Sequence, residues 1–503
     1  MPTTRTSPWW PLSVALAAVL VHLGSLANGF ALDDVPLVRD NPAIVSLSSV
    51  PRLLVSPYWA VPGEHYGLYR PLTVISLALN RAATGPGPLG FHLVNVLLHA
   101  GTSALAWFAL RRAGMHYGTA LAGAWIFAVH PIHSEAVANV AGRAEILAAL
   151  LAIAAWLAHG RALERPRWRW GAAGLYLAAI LSKEGAIAAP VLFAADDALR
   201  GRRARSIASR LGPYALAAIA ALVLRGVALG SHQAAEATIA LDNPAAAAGT
   251  LPRIFTALWV QVRYLALCVW PRHLSSDYSF DAIPVVRSLS DPRALAGAAL
   301  AVAIVAAIFW GARRSPPVAR AAWIWVVFML PSSNLLFPSG TLMGERLAYL
   351  PSLGFCLLAG HAAAALAARG SAWRGAAVTL SIAAVAAASA RTWARVPAWK
   401  DNLTLATTDV ATTPRSAKLQ AGAGIFLEEA GRDAEAEAHL RLAVEIDPTY
   451  AQMHYNLGVL LARRGAIDEA AVHFRRAIEL VPDNPAPRRA LADLMRRGTP
   501  AAP

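Results

Sequence analysis

Eleven stretches of membrane length, each nearly free of charge, divide the first 391 residues, near positions 9–30, 91–110, 117–136, 145–160, 170–182, 185–199, 211–229, 294–312, 321–338, 347–367 and 375–391. Hydrocarbon offers no water to backbone N–H and C=O groups, so each stretch must satisfy them internally, as a helix. The expectation is an all-α, multi-pass membrane domain over residues 1–391 with about 11 transmembrane helices. An apolar content of 56% against 15% charged residues fits no ordinary soluble globule. The first stretch, Trp9 to Phe30, follows a short start containing Arg5; it is too long for a signal-peptide core and lacks a cleavage site, so it reads as a retained span.

The formal charge of +15 invites a nucleic-acid reading, which its distribution excludes. Residues 414–503 hold 12 basic and 12 acidic side chains, so the excess lies in the membrane part. There it clusters at Arg111-Arg112 and within 161–169, 200–210, 313–320 and 369–374, the pattern of cytoplasmic loops. Placing these loops on one side predicts a cytoplasmic N-terminus and a tail outside. The outer side then receives a first loop at 31–81, the far end of the His130 stretch, the Lys183 turn, Asp277 to Asp281 and Glu345-Arg346. A hairpin turning at Lys183-Glu184 fits; a single long helix is the rival. The segment Arg253 to Pro271, interrupted by Gln261 and Arg263, reads as a re-entrant or interfacial helix. Cys268 and Cys356 both lie in apolar segments and read as buried thiols.

Residues 392–503 form a second domain. Residues 417–450 and 451–484 align at a spacing of 34, pairing Gly424 with Gly458, Ala436 with Ala470, Leu440 with Phe474 and Pro448 with Pro482. This is the tetratricopeptide pattern of an α-solenoid. Trp399 to Thr413 fits half of a preceding repeat, and 485–497 a capping helix. The repeats serve either as a structural cap or to present a protein partner.

Ionisable side chains at membrane depth are expensive and mark function by default. His130, His133, Glu135, Arg143 and Glu145 fall within sixteen residues. Hydrogen bonding to a polar head group suits them better than metal ligation, because the motif is not His-Glu-x-x-His and no cysteine assists. Arg143 and Glu145 open the following span, where an arginine can grip phosphate. Lys183 is one of only three lysines among 45 basic residues, which points to a need for a compact ammonium beside Glu184. Glu345, Arg346 and Tyr349 open another span on the same side. Asp33 and Asp34 follow the first span; they are either solvated caps or, given the long aromatic loop through Tyr58, Trp59, Tyr66, Tyr69 and Arg70, a general base.

The ordered set of Asp33-Asp34, Tyr69-Arg70-Pro71-Leu72, Phe91 to His99, the His130 to Glu145 block, Ser182 to Gly185, Glu345-Arg346 with Tyr349 to Ser352, and the repeats resembles the transmembrane and tetratricopeptide-repeat O-mannosyltransferase family and its bacterial relatives. The resemblance implies a GT-C-type fold. It also implies transfer of a sugar, mannose in eukaryotic members, from a polyprenyl-phosphate carrier to a protein serine or threonine hydroxyl on the non-cytoplasmic face. Asp33 or Asp34 would then be the base, and Arg143, Lys183 and Arg346 would stabilise the leaving phosphate. His130, His133 and Glu135 would orient the sugar or phosphate. The lipid-linked sugar is the implied donor, with no divalent metal favoured, and the repeats would meet the acceptor. An alanine- and arginine-rich composition favours a bacterial cytoplasmic membrane, with site and repeats periplasmic. A transporter or lipid-carrier flippase, and a membrane scaffold recruiting partners, are the rival classes.

Overall fold

A computed structural model describes residues 9–59, 67–230 and 241–498. Tyr66 and Arg5 lie outside the described residues. Among those described, all regular elements are helical. The helices of eight residues or more are α1 (Trp9–His22), α2 (Pro71–Thr84), α3 (Pro88–Arg112), α4 (Tyr117–Val129), α5 (Arg143–Arg161), α6 (Trp168–Ser182), α7 (Ala189–Leu199), α8 (Ala204–Leu229), α9 (Thr250–Val269), α10 (Pro292–Arg314), α11 (Pro316–Met329), α12 (Ser352–Ala367) and α13 (Ser371–Arg395). The tail contributes α14 (Asn402–Asp409), α15 (Ala417–Glu429), α16 (Asp433–Ile446), α17 (Ala451–Arg463), α18 (Ile467–Leu480) and α19 (Pro485–Gly498).

Six helical segments among the described residues are long and apolar enough to cross a membrane: Trp9–Ala27, Pro88–Arg112, Val140–Arg161, Ala204–Leu229, Pro292–Arg314 and Ser371–Lys400. The chain is a membrane protein. The other five expected spans are helical but shorter, with 13 residues in α4, 15 in α6, 11 in α7, 14 in α11 and 16 in α12. For α4, α6 and α7 the shortening has a local cause. Pro131 lacks an N–H and pushes His130 into extended backbone (φ −69°, ψ 129°), so α4 ends at Val129. Lys183 is extended (φ −156°, ψ 132°), and a 3₁₀ turn over Glu184–Ala188 leads into α7. The chain therefore breaks at Lys183 instead of running through it as one helix. The expected loop 31–81 also departs from its reading, because its last part is α2: Pro71 starts the helix, and Val74, Leu77, Ala78 and Asn80 bury one face.

Three of the arginine clusters meet at one end of the bundle. Asp196 takes Arg112 at 2.6 Å, Arg320 at 2.8 Å and Arg200 at 3.2 Å, while its neighbour Asp197 takes Arg210 at 2.7 Å. Three of the five loops read as sharing a side meet there. Between the ends, alanine and glycine let helices approach closely, as apolar packing without a hydrophobic drive requires. A Cβ on Gly123 of α4 would lie 2.7 Å from the Cys356 carbonyl of α12. Cys268 and Cys356 are both buried.

The repeats recur at the spacing read from sequence: α15 and α16 are followed 34 positions later by α17 and α18. A Cβ on Gly424 would meet Leu440 at 2.6 Å, and one on Gly458 would meet Phe474 at 2.8 Å, so equivalent pairs pack alike. The polar contacts repeat as well. Gln420 donates to the Pro414 carbonyl (2.7 Å) and contacts His439 (2.7 Å); His454 bonds the Pro448 carbonyl (3.1 Å) and contacts His473 (3.0 Å).

The tail is seated on the membrane domain by backbone bonds. The loop after α9 donates Asp281 N–H to the Arg415 carbonyl (2.8 Å), and Ala417 N–H returns a bond to the Phe280 carbonyl (2.7 Å). Asp409 of α14 accepts the Ser276 N–H at 2.6 Å and pairs with the buried Arg395 guanidinium, Nη2 at 3.0 Å. Removing one partner of a buried pair costs about 3–5 kcal/mol. Asp409→Ala is therefore expected to speed hydrogen exchange at Ser276, Asp281 and Ala417 while α17 and α18 stay protected. Unchanged exchange at the join would contradict this account of the seat.

Candidate active site

A cavity of about 680 Å³ opens where α2, α5, the Lys183 break, α8 and the turn before α12 come together. Asp33, Arg70, Glu145, Lys183, Glu184 and Arg346 line it, six of the thirteen residues singled out from sequence. Each arrives by a distinct local device. Arg70 caps α2 because the residue before a proline is driven out of helical backbone (φ −139°, ψ 59°). Glu145 sits in the first turn of α5, and Lys183 projects from the break. Arg346 lies on a 3₁₀ turn over Glu345–Ala348.

Most of these charges are paired. Arg70 grips Glu184 with two bonds, Nε to Oε2 at 2.8 Å and Nη2 to Oε1 at 2.6 Å, and stands 4.9 Å from the Tyr58 ring centre. Lys183 pairs with Glu145, and Arg346 with Glu135. Asp33 is half-buried and makes no ion pair among the described residues. Much of the remaining wall is apolar, including Ile187, Leu222, Phe328, Phe337, Leu347 and Leu350.

The other seven residues stand behind this wall. Asp34 is buried (1% exposed) and caps a distant segment: Oδ1 accepts the Ala141 N–H at 2.7 Å and Oδ2 the Val140 N–H at 3.1 Å. These are orphan donors of the 3₁₀ turn that leads into α5, and Asn139 caps the same turn from within, accepting from Ala141 N–H at 2.9 Å. Burial pushes the Asp34 carboxyl up to about 7, against the pull of the backbone N–H groups. Its oxygens are occupied and it does not face the cavity; of the two aspartates, Asp33 is the one on the cavity wall. Leu32 is held at φ 47°, a left-handed conformation unusual for a side chain of that size, and it separates the buried Ala31 from the two aspartates.

Arg143 is fully buried. Its Nε donates to Asn95 Oδ1 (2.8 Å), and Nη2 to Asn80 Oδ1 (2.7 Å) and the Phe91 carbonyl (2.9 Å). It ties α2, α3 and α5 together and offers nothing to the cavity. His130 bonds the Cys268 carbonyl at 2.9 Å, and His133 the Ser352 hydroxyl at 2.9 Å. Glu135 is buried and also accepts the Arg346 N–H at 2.8 Å, so it orients that arginine. His130, His133 and Glu135 thus face three different partners. Tyr349 bonds His99 at 2.6 Å. Glu345 accepts the Ser275 N–H at 2.6 Å and the Tyr278 hydroxyl at 2.7 Å; burial pushes its carboxyl up to about 8.

Sequence reasoning passed over Arg225 of α8, which lines the cavity and donates from Nη2 to the Gly67 carbonyl at 2.8 Å. The signal was present: it is the only charged residue between Arg210 and Gly230. The framework asparagines Asn80, Asn95 and Asn139 were passed over too. Asn95 reaches the Asn139 carbonyl at 3.1 Å, and His92 the Gly29 carbonyl at 2.9 Å, so the Phe91 to His99 stretch is the spine between first loop and broken helix.

Fold and cavity together define a multi-pass helical membrane protein with a tetratricopeptide tail and a charged pocket beside an apolar wall. Residues 234–305 match the family described as protein O-mannosyl-transferase TMTC, DUF1736, and residues 451–484 match the tetratricopeptide repeat. The chain is 28% identical to Protein O-mannosyl-transferase F38B6.6 of Caenorhabditis elegans over 86% of its own length and 62% of that protein. It is 30% identical to Protein O-mannosyl-transferase Tmtc1 of Drosophila melanogaster over 87% and 61%, and 29% identical to human TMTC1 over 87% and 55%. The chain is thus a relative of the TMTC protein O-mannosyl-transferases, and it spans about 60% of the length of the first two.

Leaving several buried acceptors unpaired costs about 1–3 kcal/mol for each group. Arg143→Met is expected to lower thermal stability by several degrees in detergent, whereas Arg70→Met, beside a half-exposed Glu184, lowers it less. Equal melting shifts would mean that Arg143 is not the framework residue its bonds describe.

Proposed function

We propose that the chain is a membrane glycosyltransferase that moves a sugar, mannose by analogy with the names of its relatives, from a polyprenyl-phosphate carrier to a hydroxyl of a protein serine or threonine. The observation that carries this reading is a carboxylate, Asp33, with no ion pair among the described residues, on the wall of a cavity where Arg70, Lys183 and Arg346 are each held by an acid and much of the remaining wall is apolar. Such a pocket suits an amphipathic donor: chain along Ile187, Leu222 and Phe328, phosphate among Lys183, Arg346 and Arg70.

In this mechanism the acceptor hydroxyl gives its proton to the Asp33 carboxylate as its oxygen bonds to the anomeric carbon. The bond from that carbon to the phosphate oxygen breaks, and polyprenyl phosphate leaves with the electron pair. Lys183 and Arg346 stabilise the charge that grows on the phosphate; Glu145 and Glu135 hold them so that little reorganisation accompanies the step. Arg143, assigned to the phosphate from sequence, becomes a framework residue. Inversion follows from direct displacement, as in the GT-C class.

The same proposal includes eleven crossings, with the joined arginine clusters at the cytoplasmic end and the cavity, first loop and tail outside, in a bacterial cytoplasmic membrane. The meeting of three clusters at Asp196-Asp197, away from the cavity, supports that polarity. The repeats present the acceptor protein.

The test is transfer from labelled polyprenyl-phosphate mannose to a serine/threonine-rich peptide by the full chain in lipid nanodiscs. General-base catalysis is worth about 10²–10⁴-fold, so Asp33→Asn is expected to lose at least about 100-fold in kcat without losing its fold. Asp34→Asn is expected to lose activity together with thermal stability. Full transfer by Asp33→Asn, or none by wild type, would overturn the mechanism.

A further inference from the structure

Four cations line the cavity, and they are not equivalent. Arg70, Lys183 and Arg346 are each matched by a carboxylate, Glu184, Glu145 and Glu135. Arg225 pairs with no carboxylate among the described residues; its one hydrogen bond there is to the neutral Gly67 carbonyl. Charge on a membrane helix is costly, and an arginine placed there without a carboxylate partner among the described residues points to a ligand path.

The position of Arg225 is equally specific. It lies on α8 among side chains that face outward from the bundle: Leu222 is 54% exposed, Val223 59% and Val227 64%. Leu222, one turn before it, lines the same cavity. Arg225 therefore stands at the rim where the apolar exterior of the bundle gives way to the charged interior. Its bond to Gly67 uses one end of a planar fork built for two-point contact with an oxyanion.

We propose that Arg225 is a binding residue for the phosphate of the lipid-linked donor, engaging it at the membrane-facing rim and distinguishing an anionic polyprenyl phosphate from an uncharged polyprenyl lipid. The proposal rests on the transferase reading only for the chemistry of the lipid. Among the described residues, Asp33 and Arg225 are the lining charges without an ion pair: a carboxylate for the acceptor, a guanidinium for the donor. The three paired cations hold their orientation before a ligand arrives, whereas Arg225 has no carboxylate partner among the described residues and is open to one from a ligand.

The experiment measures binding without sugar or acceptor. The full chain in phosphatidylcholine nanodiscs is titrated with undecaprenyl phosphate, with undecaprenol and with inorganic phosphate, followed by tryptophan fluorescence. Wild type is expected to bind undecaprenyl phosphate at least tenfold more tightly than undecaprenol, and inorganic phosphate weakly. A charge-assisted hydrogen bond contributes about 1.5–3 kcal/mol, or roughly 10–150-fold. Arg225→Gln, which keeps an N–H donor, is expected to erase most of the phosphate preference while undecaprenol binding is unchanged. Arg225→Lys is expected to restore part of it, and ligand-free melting temperatures report that both variants fold. In the transfer assay, Arg225→Gln is expected to raise KM for the donor at least tenfold with a smaller change in kcat.

An undiminished preference for undecaprenyl phosphate in Arg225→Gln would overturn the assignment, as would inorganic phosphate binding as tightly as the lipid. The two readings fail separately. Binding through Arg225 with no sugar transfer would sink the transferase and leave this site standing; transfer with an unchanged donor KM in Arg225→Gln would do the reverse.

Discussion

A buried carboxylate, Asp34, holds the first loop against the start of α5. Through two oxygens it satisfies the Val140 and Ala141 N–H groups, donors that no helix partner reaches and that would otherwise be stranded in a dry interior. The bond crosses more than a hundred positions of sequence. It sets where Asp33 points, where α5 begins and hence where Glu145 stands to hold Lys183. Arg143, one turn further on, fixes α5 against α2 and α3 with acceptors from both. The cavity is what remains between these ties.

Its charges follow an economy suited to a site that must stay formed in a poorly solvating medium. An isolated ion there is expensive, so paired ions are the rule and an unpaired one is informative. The opposite end of the bundle shows the contrast: Asp196 and Asp197 are enclosed by arginines, with side chains at most 1% exposed. That end locks helices together, whereas at the cavity Asp33 and Arg225 have no ion pair among the described residues.

The architecture was legible in sequence wherever it rests on local chemistry. The 34-residue register of the tail repeats in coordinates because glycine at 424 and 458 is demanded by the side chains opposite. Pro131 and the isolated Lys183 mark true breaks. The division between Asp33 and Asp34 was not legible: adjacent aspartates are alike until the backbone at Leu32 and the turn at 140–142 turn one inward and leave the other on the cavity wall. His130, His133 and Arg143 announced a costly polar cluster, but such a cluster is stabilised equally well by internal partners or by a ligand, and only distances separate the two. Arg225 was lost to averaging, since one charge barely alters an apolar window of twenty residues.

The tail's junction carries a mechanical consequence. Val396 accepts from the Asn28 amide at 3.0 Å, Lys400 from Gly29 N–H at 2.8 Å, and Asn402 from Leu32 N–H at 2.7 Å. Force applied to the superhelix by a bound protein would arrive at Leu32, the residue beside Asp33, without first passing through the bundle. A displacement of the superhelix is thereby passed to the backbone beside the cavity wall through a few ångströms of shared hydrogen bonding.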